Sequence, residues 1–512
     1  MSSSITVHRK FTLGTVDPRL FGGFIEHMGR AVHEGIFEPG HPAADPAGLR
    51  QDVLALVREL GTPVTRYPGG NFVSGYNWED GVGPAKNRPA KLDLAWKALE
   101  NNTFGTNEFM DWCKHANTTP MMAVNLGTRG PDEARNLLEY CNHPGGSYWS
   151  DLRRKHGYEQ PHNIKLWCLG NEMDGPWQIG HKTAQEYGRV AAETAKVMKW
   201  TDPSIELVAC GSSGSHMPTF GAWEDTVLEH TYDHIDYISI HRYYGNPKDE
   251  TPGYLALSDE MDRFIKNVVA VCDSVGARKK STKKLMLSFD EWNVWFHSIG
   301  QEKNSPEWSV ARPLLEDVYT MEDALLVGSM LITLLNNADR VKIGCIAQTV
   351  NVIAPIMTRK GGGAWRQTIF SPFSLTSKYG GGEVLRQVVE CPRYDAVHTG
   401  DALSPGSIVT HLPHTPLLTS ASIYNAEPGE VVVFAVNRDL ANAQEVRIDL
   451  LGFAPGAVIE WQTLHHADLK AVNTEDEERV KPAQAQGATL AAGVVKAVLP
   501  AASWNMLRIK VG

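Results

Sequence analysis

The chain has 512 residues, of which 42% are hydrophobic and 21% charged, a composition typical of globular proteins. A net charge of −10 and an isoelectric point near 6.0 argue against a nucleic-acid partner. The sequence contains no run of 18 apolar residues, so no membrane span is predicted. The first ten residues lack the apolar core of a signal peptide, and the seven cysteines are scattered without a C-x-x-C pair. We therefore expect a cytoplasmic protein with reduced thiols.

The chain begins with one alternating segment at 3–13, which predicts a single strand. From about residue 18, short apolar runs alternate with amphipathic helical stretches. Eight such alternations predict an α/β fold, the (β/α)8 TIM barrel, whose strands lie at 20–25, 64–67, 121–126, 166–169, 207–209, 237–240, 285–289 and 343–347.

The pattern changes at Tyr379-Gly-Gly-Gly382, which predicts a hinge. Beyond it, short alternating segments separated by turn clusters predict an all-β sandwich. The strand at 3–13 has no partner in the barrel, so we assign it to the sandwich. The predicted domains are a catalytic barrel at 15–380 and a sandwich formed by 1–14 and 381–512.

Two of the predicted barrel strands lead directly into glutamates, Glu172 after the fourth and Glu291 after the seventh. Catalytic groups of barrel enzymes lie at the carboxyl ends of the strands. One such glutamate could equally begin the next helix, where an acid is favourable. Two in matching positions favour the acid/base and nucleophile pair of a retaining glycosidase.

The other strand ends supply carboxylates, amides, one arginine and aromatic rings. This set suits a neutral, polyhydroxylated ligand, because amides and acids bond hydroxyl groups and indole faces pack against sugar rings. Trp96 fits either the wall of the cleft or helix packing, and Tyr243 either the site or the core. No histidine cluster, strand-embedded lysine or dinucleotide loop is present at a strand end, so no metal or cofactor is predicted. A non-catalytic carbohydrate-binding protein remains an alternative.

Six motifs, in order and spacing, resemble the intracellular α-L-arabinofuranosidases of glycoside hydrolase family 51. The resemblance covers essentially the whole chain and implies a barrel with a jelly-roll sandwich, a homo-oligomer that is commonly a hexamer, and release of terminal arabinofuranose from arabinan, arabinoxylan or their oligosaccharides. The motifs are Phe24-Ile-Glu-His27, Arg66-Tyr-Pro-Gly-Gly-Asn71, Leu169-Gly-Asn-Glu172, His241-Arg-Tyr-Tyr-Gly-Asn246, Asp290-Glu-Trp-Asn293 and Ala347-Gln-Thr-Val-Asn351.

The resemblance makes Glu172 the acid/base and Glu291 the nucleophile. Another retaining glycosidase of the same clan, a β-xylosidase or a galactofuranosidase, stays open, as do the linkage preference and the role of the loop at 296–312. The residues expected to bind substrate or line the cleft are Glu26, Arg66, Asn71, Trp96, Asn171, Trp177, His241, Tyr243, Trp295 and Gln348.

Overall fold

A closed barrel of parallel strands forms the larger part of the molecule. The structure, a computed structural model, describes residues 2–400 and 408–512. Within these residues, eight parallel strands pair in chain order, and backbone hydrogen bonds from Gly22 to Gly344 and from Ile346 to Gly22 join the last strand to the first. The predicted barrel is confirmed. Its strands are Gly23–Phe24, Val64–Tyr67, Thr119–Val124, Leu166–Leu169, Glu206–Cys210, Tyr237–Tyr244, Met286–Val294 and Val341–Ile346.

The first, sixth and seventh strands differ most from their predicted bounds, while the third, fifth and eighth differ by one or two residues at each end and the second and fourth match. The segment at 20–25 contains only the two-residue strand Gly23–Phe24, because a 3-10 turn at Pro18–Phe21, capped by the Asp17 side chain, precedes it. The sixth and seventh strands continue to Tyr244 and Val294, past the predicted ends at 240 and 289. Several site residues therefore lie within strands and are held by the barrel ladder rather than by loops.

Amphipathic helices surround the barrel and pack their apolar stripes against it. In the first helix, for example, Val53, Leu54, Val57 and Leu60 are all buried. In the described part of the chain, no helix is both long and apolar enough to cross a membrane. The helices are Gln51–Leu60, Thr106–Ala116, Pro131–Asn142, Tyr148–Lys155, Ala184–Thr201, Ala222–Thr231, Thr251–Leu255, Leu257–Arg278, Met321–Leu335 and Phe370–Tyr379.

The second unit is a ten-stranded sheet that curls around its own apolar core, which includes Ile5, Val433, Ile448 and Trp461. As predicted, the N-terminal strand Ser2–Thr15 belongs to this sheet, where it lies between Glu383–Glu390 and Gln444–Leu451. The remaining strands are Leu418–Asn425, Glu430–Asn437, Pro455–Leu464, Ala483–Gln484, Thr489–Ala491, Val494–Leu499 and Ser503–Val511. Separate two-stranded sheets pair Lys91–Asp93 with Ala98–Glu100, Ile356–Thr358 with Ala364–Arg366, and Arg393–Thr399 with Val409–Pro416.

The helix Met321–Leu335 joins the two units and is buried along its whole length. One side faces the barrel, and the other contacts the strands Leu418–Asn425, Glu430–Asn437 and Ser503–Val511. At the centre of this contact, the buried indole of Trp504 lies directly against Gly328, so that a β-carbon on Gly328 would overlap the ring. Only glycine fits without displacement of the sheet.

We predict that Gly328→Ala lowers the melting temperature. Alanine normally stabilises a helix relative to glycine by about 1 kcal/mol, but overpacking in a core costs about 1–3 kcal/mol, and here the overlap with Trp504 decides the sign. Gly381→Ala is the matched control, since no atom lies within 4 Å of a β-carbon there. A higher melting temperature for Gly328→Ala in differential scanning calorimetry would contradict this packing.

Candidate active site

A cavity of about 290 Å³ opens at the carboxyl ends of the barrel strands. Both predicted catalytic glutamates lie on its wall. Of the residues that we predicted to bind substrate, it is lined by Glu26, Asn71, Trp96, Trp177, Tyr243, Trp295 and Gln348. Residues that are far apart in the sequence therefore lie on one concave surface, because the carboxyl ends of the parallel strands meet at the same end of the barrel.

Glu172 reaches the cavity because the chain turns sharply after the fourth strand, which ends at Leu169. Gly170 has φ 87° and Glu172 itself has φ 44°, both in the left-handed region. A non-glycine residue seldom adopts this conformation, and such strain concentrates at functional sites. The turn directs the Glu172 carboxyl group toward the barrel axis.

The seventh strand places two consecutive carboxylates inside the barrel. Side chains of a regular strand alternate between its faces, so Asp290 and Glu291 should face opposite ways. However, the pairing shifts register between Ser288, opposite Ser239, and Glu291, opposite His241, which is the signature of a β-bulge. Because of this bulge, both carboxylates point inward, Asp290 below and Glu291 at the cavity.

Glu291 is held by two donors. Arg66 Nη1 lies 2.7 Å from its Oε1, and the Tyr243 hydroxyl donates to its Oε2 at 2.7 Å. The same guanidinium donates through Nη2 to Asn171 Oδ1 at 2.6 Å. Arg66 is 1% exposed, so its charge is compensated by protein groups alone. The carboxylate is therefore fixed in position and paired with a permanent cation.

Glu172 has different neighbours, with no arginine or lysine among them. Its Oε2 accepts a hydrogen bond from Trp177 Nε1 at 2.7 Å, and its Oε1 lies 3.0 Å from His241 Nδ1. The same nitrogen is 3.6 Å from Glu291 Oε2, and one oxygen of each glutamate lies within 4.8 Å of the other. Retaining glycosidases space their two carboxyl groups about 5–5.5 Å apart, whereas inverting enzymes need about 6.5–9.5 Å.

His241 bridges the carboxylates from below. Its Nε2 lies 2.9 Å from Asp290 Oδ1, so both ring nitrogens face acids. Burial alone would lower the pKa of His241, but the surrounding Glu291, Asp290 and Glu172 carboxylates raise it to about 10. The imidazole therefore carries a proton at neutral pH and, with Arg66, balances part of the negative charge.

Glu26 forms the far wall of the cavity. Its Oε1 accepts from the Phe72 amide and from Trp96 Nε1, both at 2.9 Å, and its Oε2 lies 3.4 Å from Gln348 Nε2. Because of this hydrogen bond, Trp96 lies in the wall of the cleft, which was one of the two positions that the sequence allowed. Burial raises the pKa of Glu26 to about 8, against the lowering effect of the Phe72 amide and with a further rise from Glu291.

Three of the predicted site residues, Arg66, Asn171 and His241, are nearly fully buried beneath the residues that line the cavity. They contact the glutamates or their partners, and their contact with substrate stays a prediction. A position at the carboxyl end of a barrel strand predicts that a residue lies near the site. It does not tell whether the side chain lines the cavity or lies beneath the residues that do.

The cavity also contains residues that the sequence analysis missed, namely Met28, Ala95, Ser213, Leu315 and Ile353, while Gly70 comes from the motif Arg66-Tyr-Pro-Gly-Gly-Asn71. Ser213 follows the fifth barrel strand, so its position at a strand end could have identified it. Asp290, which orients His241, stands next to Glu291 in the sequence and could have been found by its position alone. The others come from long loops that carry no local signal.

A (β/α)8 barrel with two glutamates at this spacing, on the fourth and seventh strands, defines a glycoside hydrolase with the retaining arrangement. Hydroxyl-binding amides and three indoles around the pair agree with a sugar ligand.

Comparisons with known proteins identify the family. The family models Alpha-L-arabinofuranosidase 1 domain and Alpha-L-arabinofuranosidase C-terminal domain match residues 56–263 and 290–503. The chain is 57% identical, over 98% of both chains, to intracellular exo-α-(1→5)-L-arabinofuranosidase 1 of Bacillus subtilis (strain 168). It is 49% identical, over 99% of this chain and 97% of the other, to an exo-α-(1→6)-L-arabinofuranosidase of Bifidobacterium longum.

A solved structure of a family 51 α-L-arabinofuranosidase from Bifidobacterium longum agrees over 99% of both chains, with a TM-score of 0.90 and 42% identity. The chain belongs to the α-L-arabinofuranosidases of glycoside hydrolase family 51. The resemblance of the six motifs to this family is thereby confirmed.

We predict that Glu26→Gln changes how stability depends on pH. Between the ordinary carboxyl pKa of 4.5 and the folded value of about 8, the folded protein keeps a proton on Glu26 that the unfolded chain has lost. A rising pH therefore destabilises the parent protein through this window, by up to about 1.4 kcal/mol per pH unit. Glutamine has the same shape and does not titrate.

The melting temperature of Glu26→Gln relative to the parent should therefore rise steadily from pH 5 to pH 8. The exposed Glu427, replaced by glutamine, serves as the control and should show a constant difference. If the Glu26→Gln difference is also constant across these pH values, the buried carboxyl group is not protonated as described.

Proposed function

We propose that the protein is a retaining exo-α-L-arabinofuranosidase, with Glu291 as the nucleophile and Glu172 as the acid/base. The observation that carries this proposal is the pair of glutamate oxygens within 4.8 Å at the base of the cavity. Beneath them the barrel is filled by Cys168, Ser239 and Asp290, so a sugar chain cannot pass through. A closed base favours a terminal residue as the bound unit.

In the first step, the Glu291 carboxylate attacks the anomeric carbon while Glu172 donates its proton to the glycosidic oxygen. The glycosidic bond breaks, and the arabinofuranosyl group becomes covalently attached to Glu291. In the second step, Glu172 accepts a proton from water, whose oxygen attacks the anomeric carbon and releases Glu291. Two inversions at one carbon retain the configuration of the substrate.

The neighbours of the two glutamates fit these roles. Arg66 and Tyr243 hold the Glu291 carboxylate in a fixed position, which suits a nucleophile. Glu172 instead contacts the Trp177 indole and the His241 imidazole, which orient its carboxyl group at the cavity. Glu26, Asn71 and Gln348 are placed to bond the ring hydroxyls, while the indoles of Trp96, Trp177 and Trp295 offer apolar faces to the sugar.

We further propose short arabinan-derived oligosaccharides as substrates inside the cell, since the Bacillus subtilis relative is named intracellular and α-(1→5)-specific. The α-(1→6) relative at 49% identity shows that close similarity accommodates a different linkage.

We also propose that residues 15–380 and 1–14 with 381–512 are separate domains, and that the chain assembles as a homo-oligomer, by family resemblance a hexamer. A 56.4 kDa particle in light scattering would contradict the assembly.

The substrate class is tested with a panel of p-nitrophenyl glycosides. We expect turnover of the α-L-arabinofuranoside to exceed that of the β-D-xylopyranoside and the β-D-galactofuranoside, because the polar groups around the cavity are matched to one ring shape. Preferred turnover of either other glycoside would assign another retaining activity, and binding without turnover would indicate a carbohydrate-binding protein.

Alanine variants of the two glutamates should behave differently with a dinitrophenyl arabinofuranoside, whose leaving group needs no protonation. Glu172→Ala should still form the glycosyl-enzyme but release it slowly, so that kcat and KM fall together. Azide needs no general base and should restore its turnover. The product should be the α-arabinofuranosyl azide, because azide inverts a β-linked intermediate on Glu291.

Glu291→Ala should lose turnover of every substrate by several orders of magnitude, since the first step requires the nucleophile. If azide instead gives the α-azide from Glu291→Ala and the β-azide from Glu172→Ala, the two assigned roles are reversed. Both variants should retain the parent fold by circular dichroism.

A further inference from the structure

Three metal-ligating atoms converge at the base of the catalytic cavity. They are His241 Nδ1 and one oxygen each of Glu172 and Glu291, all within 4.8 Å of one another. The nitrogen lies 3.0 Å from the Glu172 oxygen and 3.6 Å from the Glu291 oxygen. Ligands of tetrahedral zinc, bound at about 2.0–2.2 Å, are separated from each other by roughly 3.3–3.5 Å. Both nitrogen–oxygen distances are therefore close to the ligand spacing of a zinc site.

The histidine already has the supporting contact of a metal ligand. Its Nε2 lies 2.9 Å from Asp290 Oδ1, and Asp290 accepts further hydrogen bonds from Ser239 at 2.6 Å and Ser288 at 3.1 Å. A carboxylate on the remote nitrogen is the usual partner of zinc-binding histidines, because it fixes the ring orientation and increases its basicity. This partner directs Nδ1 toward the cavity.

The carboxyl groups at the base of the cavity also offer oxygen ligands to a cation. Glu172, Asp290 and Glu291 converge there, where Arg66 and the protonated His241 balance part of their charge. A divalent metal ion that replaces the imidazole proton would contact the same carboxylates, and the cavity above it has room for a water molecule as fourth ligand.

We propose that Glu172, His241 and Glu291 form a zinc-binding site and that Zn²⁺, bound there, excludes the substrate. Binding displaces to solvent the proton that His241 Nδ1 shares with Glu172. An imidazole with two carboxylates suits zinc, whereas Mg²⁺ and Ca²⁺ require six or more oxygen ligands. Inhibition rests on the proposed glycosidase function, but binding of the metal does not.

A second cluster within the described residues, His27, His33 and Glu100, also brings three donor atoms within 4.8 Å. There, however, the second ring nitrogen of His27 contacts the Tyr67 hydroxyl at 2.6 Å rather than a carboxylate, so His27 lacks the acidic partner that supports His241. None of the three residues lines the catalytic cavity, which would supply the water ligand. This cluster therefore provides a control rather than a competing site.

The test is isothermal titration of the chelator-treated, full-length enzyme with zinc chloride. We expect one strong zinc ion per chain, and no strong binding in Glu172→Ala or Glu291→Ala. Asp290→Asn, which leaves all three ligands in place and weakens the support of His241, should lower the affinity about 10- to 100-fold. His33→Gln and Cys391→Ser should bind like the parent; Cys391 is the one cysteine among the described residues that is not fully buried.

Two measurements on the unmodified protein keep the test independent of how the variants fold. Cobalt in place of zinc should give the visible absorption of a four-coordinate site, and arabinose should abolish it. Zinc should raise the apparent KM for an arabinofuranoside without lowering kcat, and a chelator should reverse the effect.

Zinc bound at His33 or Cys391, or zinc that lowers kcat without changing KM, would overturn the inference even if the protein is an active arabinofuranosidase. Zinc binding at the expected residues in a protein that hydrolyses no arabinofuranoside would instead overturn the proposed function and leave the metal site standing. The two proposals therefore fail separately.

Discussion

The buried ion pair between Arg66 and Glu291 is the interaction on which the site depends. Transfer of a charged group into a protein interior costs several kcal/mol, and here several carboxyl groups converge within one barrel. Arg66 contacts Glu291 at 2.7 Å and lies 3.9 Å from Asp290, and it is the only permanent cation that we find beside them in the described chain. It allows two acids to stand close together without an uncompensated charge.

This ion pair in turn requires the closed barrel. Arg66 comes from the second strand and Glu291 from the seventh, and the parallel pairing brings both to the same end. The eighth strand follows the buried helix Met321–Leu335 and leads to Gln348, which accepts from the Glu26 amide at 2.9 Å. Because that helix also packs against the β-sheet, the second unit supports the wall of the site as well as its own core.

Much of this arrangement could be predicted from local sequence. Apolar runs that end in a polar residue located the barrel strands and both glutamates, because a parallel strand buried on both faces leaves a continuous apolar signal. The bulge at Asp290 could not be predicted, since it is a property of the pairing with the sixth strand. A regular strand would direct Asp290 and Glu291 to opposite faces, so the sequence alone does not predict that both point into the barrel or that His241 contacts both.

The strand Glu383–Glu390 directly follows the predicted hinge and carries no alternating pattern that would predict it, for a related reason. Its consecutive residues Val384 and Leu385 are both buried, but Val384 belongs to the core around the barrel and Leu385 to the core of the β-sheet. A strand between two apolar layers loses the alternation that identifies a strand with one wet face. The N-terminal strand kept its alternation and was assigned correctly.

The stereochemistry of hydrolysis tests the two-step account most directly, because it depends on the distance between Glu172 and Glu291. Proton NMR of an arabinofuranoside digest, recorded before the released sugar mutarotates, should show the α-anomer first. The β-anomer as the first product would mean a single displacement by water and would contradict a nucleophilic role for Glu291.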